Sequence, residues 1–305
     1  MSLGPLPNRR RGASLLIGTL QGCLGAIFLG STILFFNGLQ MLSLVLRPFS
    51  HEAFRRFNSW AAGTWWGLCV QLSEFFYGTR LVLTGDDVPH DDNAVIVLNH
   101  QSMTDIPVVL AVAHGKGRLG DLKWFVKDVV KYVPGIGWGM LFLDCLFIKR
   151  NWTEDRDYVL RVFEKVIRYS VPIWLVSFVE GTRVRPSKLA HSQKYARENN
   201  LMPPQHVLIP RTKGFVASVQ SLRDYLDAVY DFTIGYVEGV PTIWQWIRGD
   251  VQRVHVHVRR YAVDQLPRED EALSRWLLRI FEEKDQLLSR YYENGSFPAR
   301  DGTSP

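Results

Sequence analysis

Residues 12 to 46 run for 35 positions without one charged side chain, bounded by Arg11 and Arg47. As one helix this stretch would be about 52 Å long, more than a bilayer core of roughly 30 Å. It therefore spans once with surplus length, tilts, or breaks near Asn37-Gly38. It is too long for a cleaved signal peptide and has no clear small-residue exit site, so it is expected to be retained. A second apolar piece, Ser59 to Leu72, contains Trp60, Trp65 and Trp66 and is interrupted by Gly63 and Gly67. It reads as an interfacial or buried helix. Arg9 to Arg11 on one side and Arg47, Arg55 and Arg56 on the other nearly cancel the positive-inside signal, so a re-entrant or in-plane helix pair stands as the alternative to one crossing.

The net charge of +6 calls for a polyanionic partner, either nucleic acid or an anionic membrane. No zinc-finger spacing, RNA-recognition aromatic motif or long basic helix is present, and ten tryptophans, several of them beside apolar runs, favour the membrane, with no nucleic acid expected. Cys23, Cys69 and Cys145 are too scattered for a disulfide framework or a CxxC site, which points to a reducing compartment. His255 and His257 alternate on one strand face and read as strand residues rather than metal ligands.

From Leu81 onward, strand-like runs at 81–84, 94–98, 143–148, 171–179, 206–210, 230–237 and 253–261 interleave with helix-like segments. The helices fall near 104–113, 154–169, 212–228 and 270–291. That alternation predicts an α/β domain with a central mostly parallel or mixed sheet covered by helices. Ser187 to Pro204 reads as a surface loop carrying a short helix. The organisation expected is an N-terminal apolar membrane-associated helical region over 1–78, the α/β domain over 79–294, and a disordered tail over 295–305.

Chemistry enters at Asn99-His100-Gln101-Ser102-Met103-Thr104-Asp105, directly after the apolar run Ala94 to Leu98. Neutral histidine accepts a proton near physiological pH, and a carboxylate on its other ring nitrogen fixes the tautomer and stabilises the imidazolium. Ser102 followed three residues later by Asp105 is a helix-start signature. The alternative is a turn in which Ser102 and Asp105 merely cap and His100 is a surface residue. Ser177-Phe178-Val179-Glu180-Gly181-Thr182-Arg183 places a second polar block after an apolar run, at the strand edge where α/β sheets bind ligands. Arg183 suits bidentate phosphate recognition, Gly181 permits close backbone approach, and Glu180 can order the loop by pairing with a cation.

The order of these blocks resembles the lysophospholipid acyltransferase superfamily, which carries an NHxxxxD block and an EGTR-like block. Phe147-Ile148-Lys149-Arg150 looks like its second motif, and Val207 to Phe215, centred on Pro210, like its fourth. The run Val229 to Tyr236 is similar to members acting on lysophosphatidic acid or related lysophospholipids. The resemblance implies a membrane-associated O-acyltransferase that moves a fatty acyl group from a thioester, acyl-CoA or acyl carrier protein, to the hydroxyl of a lysophospholipid. The acceptor it implies first is 1-acyl-sn-glycerol 3-phosphate; a remodelling enzyme for another lysophospholipid, such as lysophosphatidylinositol, is the alternative.

In that reading His100 is the general base and Asp105 orients it, with no metal and no bound cofactor. Arg150 and Arg183 are the implied phosphate grip, Glu180, Gly181 and Thr182 shape their loop, and Lys127, Pro210 and Lys213 are further binding candidates. Absence of a GxSxG elbow and of a cysteine beside the motifs favours direct transfer over an acyl-enzyme. Tyr132 to Trp138 reads either as the wall of an acyl-chain groove or as a buried turn. A lipid hydrolase and a noncatalytic membrane-surface module are the competing functions. The catalytic domain is expected to face the cytoplasm, from a bacterial inner membrane or the endoplasmic reticulum.

Overall fold

The structure, a computed structural model, describes residues 4–8 and 10–298. Arg9 and the end of the expected tail, 299–305, lie outside the described residues. Strands β1 Arg80–Gly85, β2 Ala94–Leu98, β3 Leu122–Lys127, β4 Leu146–Ile148, β5 Trp174–Ser177, β6 Ala228–Gly235 and β7 Arg253–Ala262 form one sheet. Its order is β1-β7-β6-β2-β5-β3-β4. The five strands from β6 to β4 are mutually parallel, whereas β7 pairs antiparallel to β6 and parallel to β1. The sheet is thus mixed, and five carboxyl ends share one edge.

Helices α1 Gly12–Leu42, α2 His51–Gln71, α3 Asp105–Gly115, α4 Ile136–Leu141, α5 Trp152–Arg168, α6 Pro186–Glu198, α7 Thr212–Leu222, α8 Ile243–Ile247 and α9 Asp270–Asn294 surround it. Every residue of β2 is buried, as a central strand requires, and successive side chains feed opposite layers. Ala94, Ile96 and Leu98 pack with α2 and α3. Val95 and Val97 pack with α5, α7 and α9. Helix α5 shows the usual logic of its layer: Asn151 caps Thr153 N, Glu154 and Asp155 sit in the first turn, and Val159, Val162, Phe163 and Val166 face inward.

Helix α1 has the opposite pattern. It continues through Asn37-Gly38 without the break that was one expectation, and a short 3-10 turn carries the run to Leu46. Gly18, Gly22, Gly25, Asn37 and Gln40 are its buried residues, while Leu16, Ile17, Leu20, Leu24 and Phe35 are more than half exposed. Its inward amides find partners for their N–H groups, while the buried Asn37 Oδ1 has none among the described residues. Asn37 Nδ2 donates to Gln40 Oε1 (3.2 Å), Gln40 Nε2 to Gly139 O (3.4 Å), and Asn58 Nδ2 to Ser43 Oγ (2.9 Å). By length and composition α1 with its 3-10 turn can cross a membrane.

Several expectations are corrected. Gly63 and Gly67 do not interrupt α2; Gly63 instead admits Gly120, whose backbone N lies 3.2 Å from where a Cβ would be. Strand β3 was not expected, because Lys123 and Lys127 flank its apolar residues. Residues 206–210 form no strand: Leu208 N and Ile209 N donate to the side chains of Glu180 and Ser192 instead of a neighbouring backbone. Helix α6 is thirteen residues long, more than a short piece in a loop. The expected tail opens with packed structure, since Phe297 is buried and stacks on Tyr291 at 4.2 Å. Tyr132, Val133, Ile136 and Trp138 are exposed, so no buried turn forms there.

Candidate active site

The site begins where β2 ends. Asn99 is wholly buried; its Nδ2 donates to Ile234 O (2.9 Å) and its Oδ1 accepts from Ile234 N (2.8 Å). The side-chain amide thereby extends the β2–β6 ladder after the backbone has turned away. His100 follows, its N–H donating to Glu180 Oε1 (2.9 Å) and its carbonyl accepting from Val184 N (2.8 Å). Both backbone groups of His100 are held by the segment after β5.

His100 Nδ1 lies 2.9 Å from Asp105 Oδ2, which also accepts from Gln101 N (2.7 Å) and Ser102 N (2.9 Å). A carboxylate accepts only, so Nδ1 carries the proton and Nε2 is left as the basic nitrogen. Asp105 is fully buried, and the His100 side chain is 13 % exposed. The other carboxylate oxygen accepts from Tyr236 Oη (2.7 Å), itself 2.9 Å from Thr104 Oγ1. Burial and the Asp105 charge push the Tyr236 phenol well up, so it stays a donor. The helix starts at Asp105 as expected, with half of the capping box formed: Asp105 accepts from Ser102 N, whereas the Ser102 hydroxyl donates to Pro241 O and accepts from Thr104 N (3.4 Å) rather than from Asp105 N. The imidazole packs on Phe178 with ring centroids 4.0 Å apart, and Phe178 in turn on Trp124. One side of the imidazole is therefore apolar.

Glu180 does not pair with an arginine. Its two oxygens accept from His100 N and from Leu208 N (3.1 Å), joining the loops after β2 and β5 to the segment through Pro210. Burial raises its pKa well above the usual carboxylate value, opposed by those two amides and by Lys284. Lys284 is fully buried on α9, donates to Phe232 O (2.6 Å) and pairs with Asp231. Gly181 has φ 72°, and a Cβ there would meet Arg211 Nε at 3.0 Å, so what approaches this glycine is a guanidinium. Arg211 N is bound to Val179 O at 2.8 Å.

Three arginines gather at this edge. Arg150 follows β4 in the left-handed backbone region (φ 67°), and desolvation together with the Arg211 guanidinium lowers its pKa. Arg183 is half-buried two residues beyond Gly181. Among the described residues none of the three side chains has a hydrogen bond or ion pair, so all are free for an anion. Thr182 is half-buried, Pro210 buried, and Lys127 and Lys213 exposed; no contact joins the two lysines to the dyad. Among the described residues no group of three or more His, Cys, Asp or Glu could hold a metal ion.

Comparison with known proteins decides the family. The Acyltransferase family model matches residues 80–237, and that for the acyltransferase C-terminus matches 245–305. The probable 1-acyl-sn-glycerol-3-phosphate acyltransferase 5 of Arabidopsis thaliana is 35% identical over 292 residues, 94% of this chain and 77% of the relative. The chain belongs to the lysophospholipid acyltransferase superfamily and is an O-acyltransferase. The gamma form of 1-acyl-sn-glycerol-3-phosphate acyltransferase from Mus musculus is 32% identical over 280 residues, covering 90% of this acyltransferase and 74% of its own length. The solved structure of the 1-acyl-sn-glycerophosphate acyltransferase PlsC from Thermotoga maritima shares the fold, with a TM-score of 0.54, 18% identity, and coverage of 90% and 96% of the two chains.

Asn99, Phe178, Arg211 and Tyr236 were not singled out by sequence reasoning. Each lay inside or beside a quoted motif, but their partners are 30 to 135 residues away, where spacing gives no signal.

Proposed function

We propose that this acyltransferase moves a fatty acyl group from a thioester to the free hydroxyl of a lysophospholipid, 1-acyl-sn-glycerol 3-phosphate first, yielding phosphatidic acid. The observation that carries the reading is the His100–Asp105 pair, backed by Tyr236, on the same edge as the unpaired Arg150, Arg183 and Arg211. His100 Nε2 takes the hydroxyl proton as the oxygen attacks the thioester carbonyl. The tetrahedral intermediate collapses with C–S cleavage, and the imidazolium returns its proton to the departing thiolate. Asp105 holds the tautomer and stabilises the imidazolium; Glu180 positions the His100 backbone. The arginines bind the acceptor phosphate, with Gly181 and Thr182 shaping the loop and Lys127, Pro210 and Lys213 in supporting positions.

The reaction belongs at a membrane surface facing the cytoplasm. Helix α1 touches the domain along its length, from Gly22 beside Trp244, through Trp65 Nε1 donating to Thr32 (3.2 Å), to Gln40 at Gly139. A helix pinned at both ends to a charged domain lies in the plane of one leaflet with its exposed apolar face immersed. The exposed Val129, Tyr132, Ile136 and Trp138 extend that face, since Gly135 packs on Ile33. The test is an acceptor panel with purified protein. Thiol release that depends on a lysolipid and matches the ester formed supports the reading; thiol release with free fatty acid and no acceptor dependence makes the protein a hydrolase.

A further inference from the structure

The positive charge of this chain is concentrated in one lobe. Between Gly181 and Lys213 stand seven Lys and Arg against one carboxylate, Glu198; Arg183, Arg211 and Lys213 belong to the acceptor side, and Arg185, Lys188, Lys194 and Arg197 remain along α6. The lobe starts at the base itself, through Val184 N on His100 O (2.8 Å), and consists of α6 and the segment returning to α7. Only Ser192 and Ala196 of α6 are buried; Arg185, Lys188, His191, Lys194 and Arg197 are exposed. Lys188, His191 and Tyr195, spaced i, i+3 and i+7, share one helix face, and Tyr195 is 47 % exposed among these cations. Lys194 pairs with Glu198 at 3.8 Å; the other arginines and lysines of the lobe have no ion pair among the described residues.

A cluster of cations that, Lys194 apart, carry no ion pair among the described residues attracts a polyanion to the edge beside His100. Anionic headgroups are the less fitting ligand, because the lobe turns away from the apolar face. Residues 200–210 pack against α9, where Gln205, His206 and Val207 donate backbone N–H groups to Asp285. That layer lies across the sheet from α1, α2 and α4. An exposed aromatic ring among cations suits a nucleobase flanked by phosphates. We propose that α6, with Arg185, Lys188, Lys194 and Tyr195, binds the phosphorylated nucleotide of a coenzyme A thioester. The inference rests on the acyl-transfer reading. Helix α6 is about 20 Å long, the scale of an extended pantetheine arm reaching from the nucleotide to His100.

The test compares two donors on the full-length protein with one lysolipid acceptor: palmitoyl-CoA and S-palmitoyl-pantetheine, the same thioester without the nucleotide. Lys188→Glu combined with Lys194→Glu, and separately Tyr195→Ala, should raise the KM for palmitoyl-CoA about tenfold or more, while the KM for the pantetheine donor does not follow. Equal changes for both donors, or none, overturn the proposal. So does a loss confined to binding of anionic vesicles, or a KM rise only for an acyl carrier protein thioester. Wild-type protein that acylates lysolipid from neither donor would instead overturn the acyl-transfer reading beneath it.

Discussion

Asp105→Asn separates the charge of Asp105 from its architecture. The carboxylate accepts four hydrogen bonds, three on Oδ2 and one on Oδ1. An asparagine whose oxygen takes the Oδ2 position keeps the Gln101, Ser102 and His100 donors. Its amide nitrogen then faces Tyr236 Oη, which can accept by turning its proton to Thr104. The turn survives and only the negative charge is lost. Two opposite charges 4 Å apart interact by roughly 4 kcal/mol at an effective dielectric of 20, and each 1.36 kcal/mol of barrier is tenfold. The imidazolium formed at the transition state loses that support, so kcat should fall about 10²–10³-fold. Thiol release gives kcat, and a thermal melt should stay within a few degrees of wild type. Asp105→Ala is the wrong probe, since it strands buried donors at about 1–3 kcal/mol each. A folded Asp105→Asn protein within threefold of wild-type kcat would refute the assigned role.

Further expectations concern the rest of the edge. Arg211→Ala, like Arg183→Ala, should weaken use of a phosphate-bearing acceptor by about 1.5–3 kcal/mol and leave the thioester KM unchanged; equal losses on a phosphate-free acceptor would remove the phosphate assignment. Gly181→Ala should cost about 1–2 kcal/mol of stability from its left-handed backbone and displace Arg211, read as a raised acceptor KM. Glu180 has a raised folded pKa, so its contribution to stability is fully present below the ordinary carboxylate pKa and is lost as pH rises through the folded value. Denaturant melts of wild type and Glu180→Gln should therefore show a stability difference that moves against wild type with rising pH; a pH-independent difference would contradict this. Three glutamates replacing the exposed Leu16, Ile17 and Leu20 should release the protein from membranes at alkaline pH, each lost apolar side chain being worth about 1.5–3 kcal/mol; continued pelleting would place the anchor elsewhere.

The two blocks of the candidate site were legible because polar residues interrupt the sequence just after fully apolar runs, as at Leu98 to His100 and Ser177 to Glu180. In a parallel sheet that transition marks the carboxyl edge. Strand β3 was hidden by Lys123, which is buried in spite of its charge, with its pKa lowered by burial. The extent of α6 was hidden because just two of its residues are buried, leaving no periodic apolar signal. Roles that depend on distant pairs were out of reach: Tyr236 meets Asp105 across 131 residues, Lys284 meets Phe232 across 52, and Glu180 grips two backbone amides rather than a side chain. For α1 the lack of charge was plain, while its inward glycines and amides show only in the packing.

The central claim is that His100 is the base for thioester-dependent acylation of a lysolipid. Its most direct test is phosphatidic acid formation from 1-acyl-sn-glycerol 3-phosphate and an acyl thioester, by purified wild-type and His100→Ala protein on the same anionic vesicles. General-base assistance typically contributes ~10²–10⁴-fold, so His100→Ala should bind the vesicles as wild type does and form product slower by that factor. Equal rates for the two proteins, at equal vesicle binding, would contradict the account.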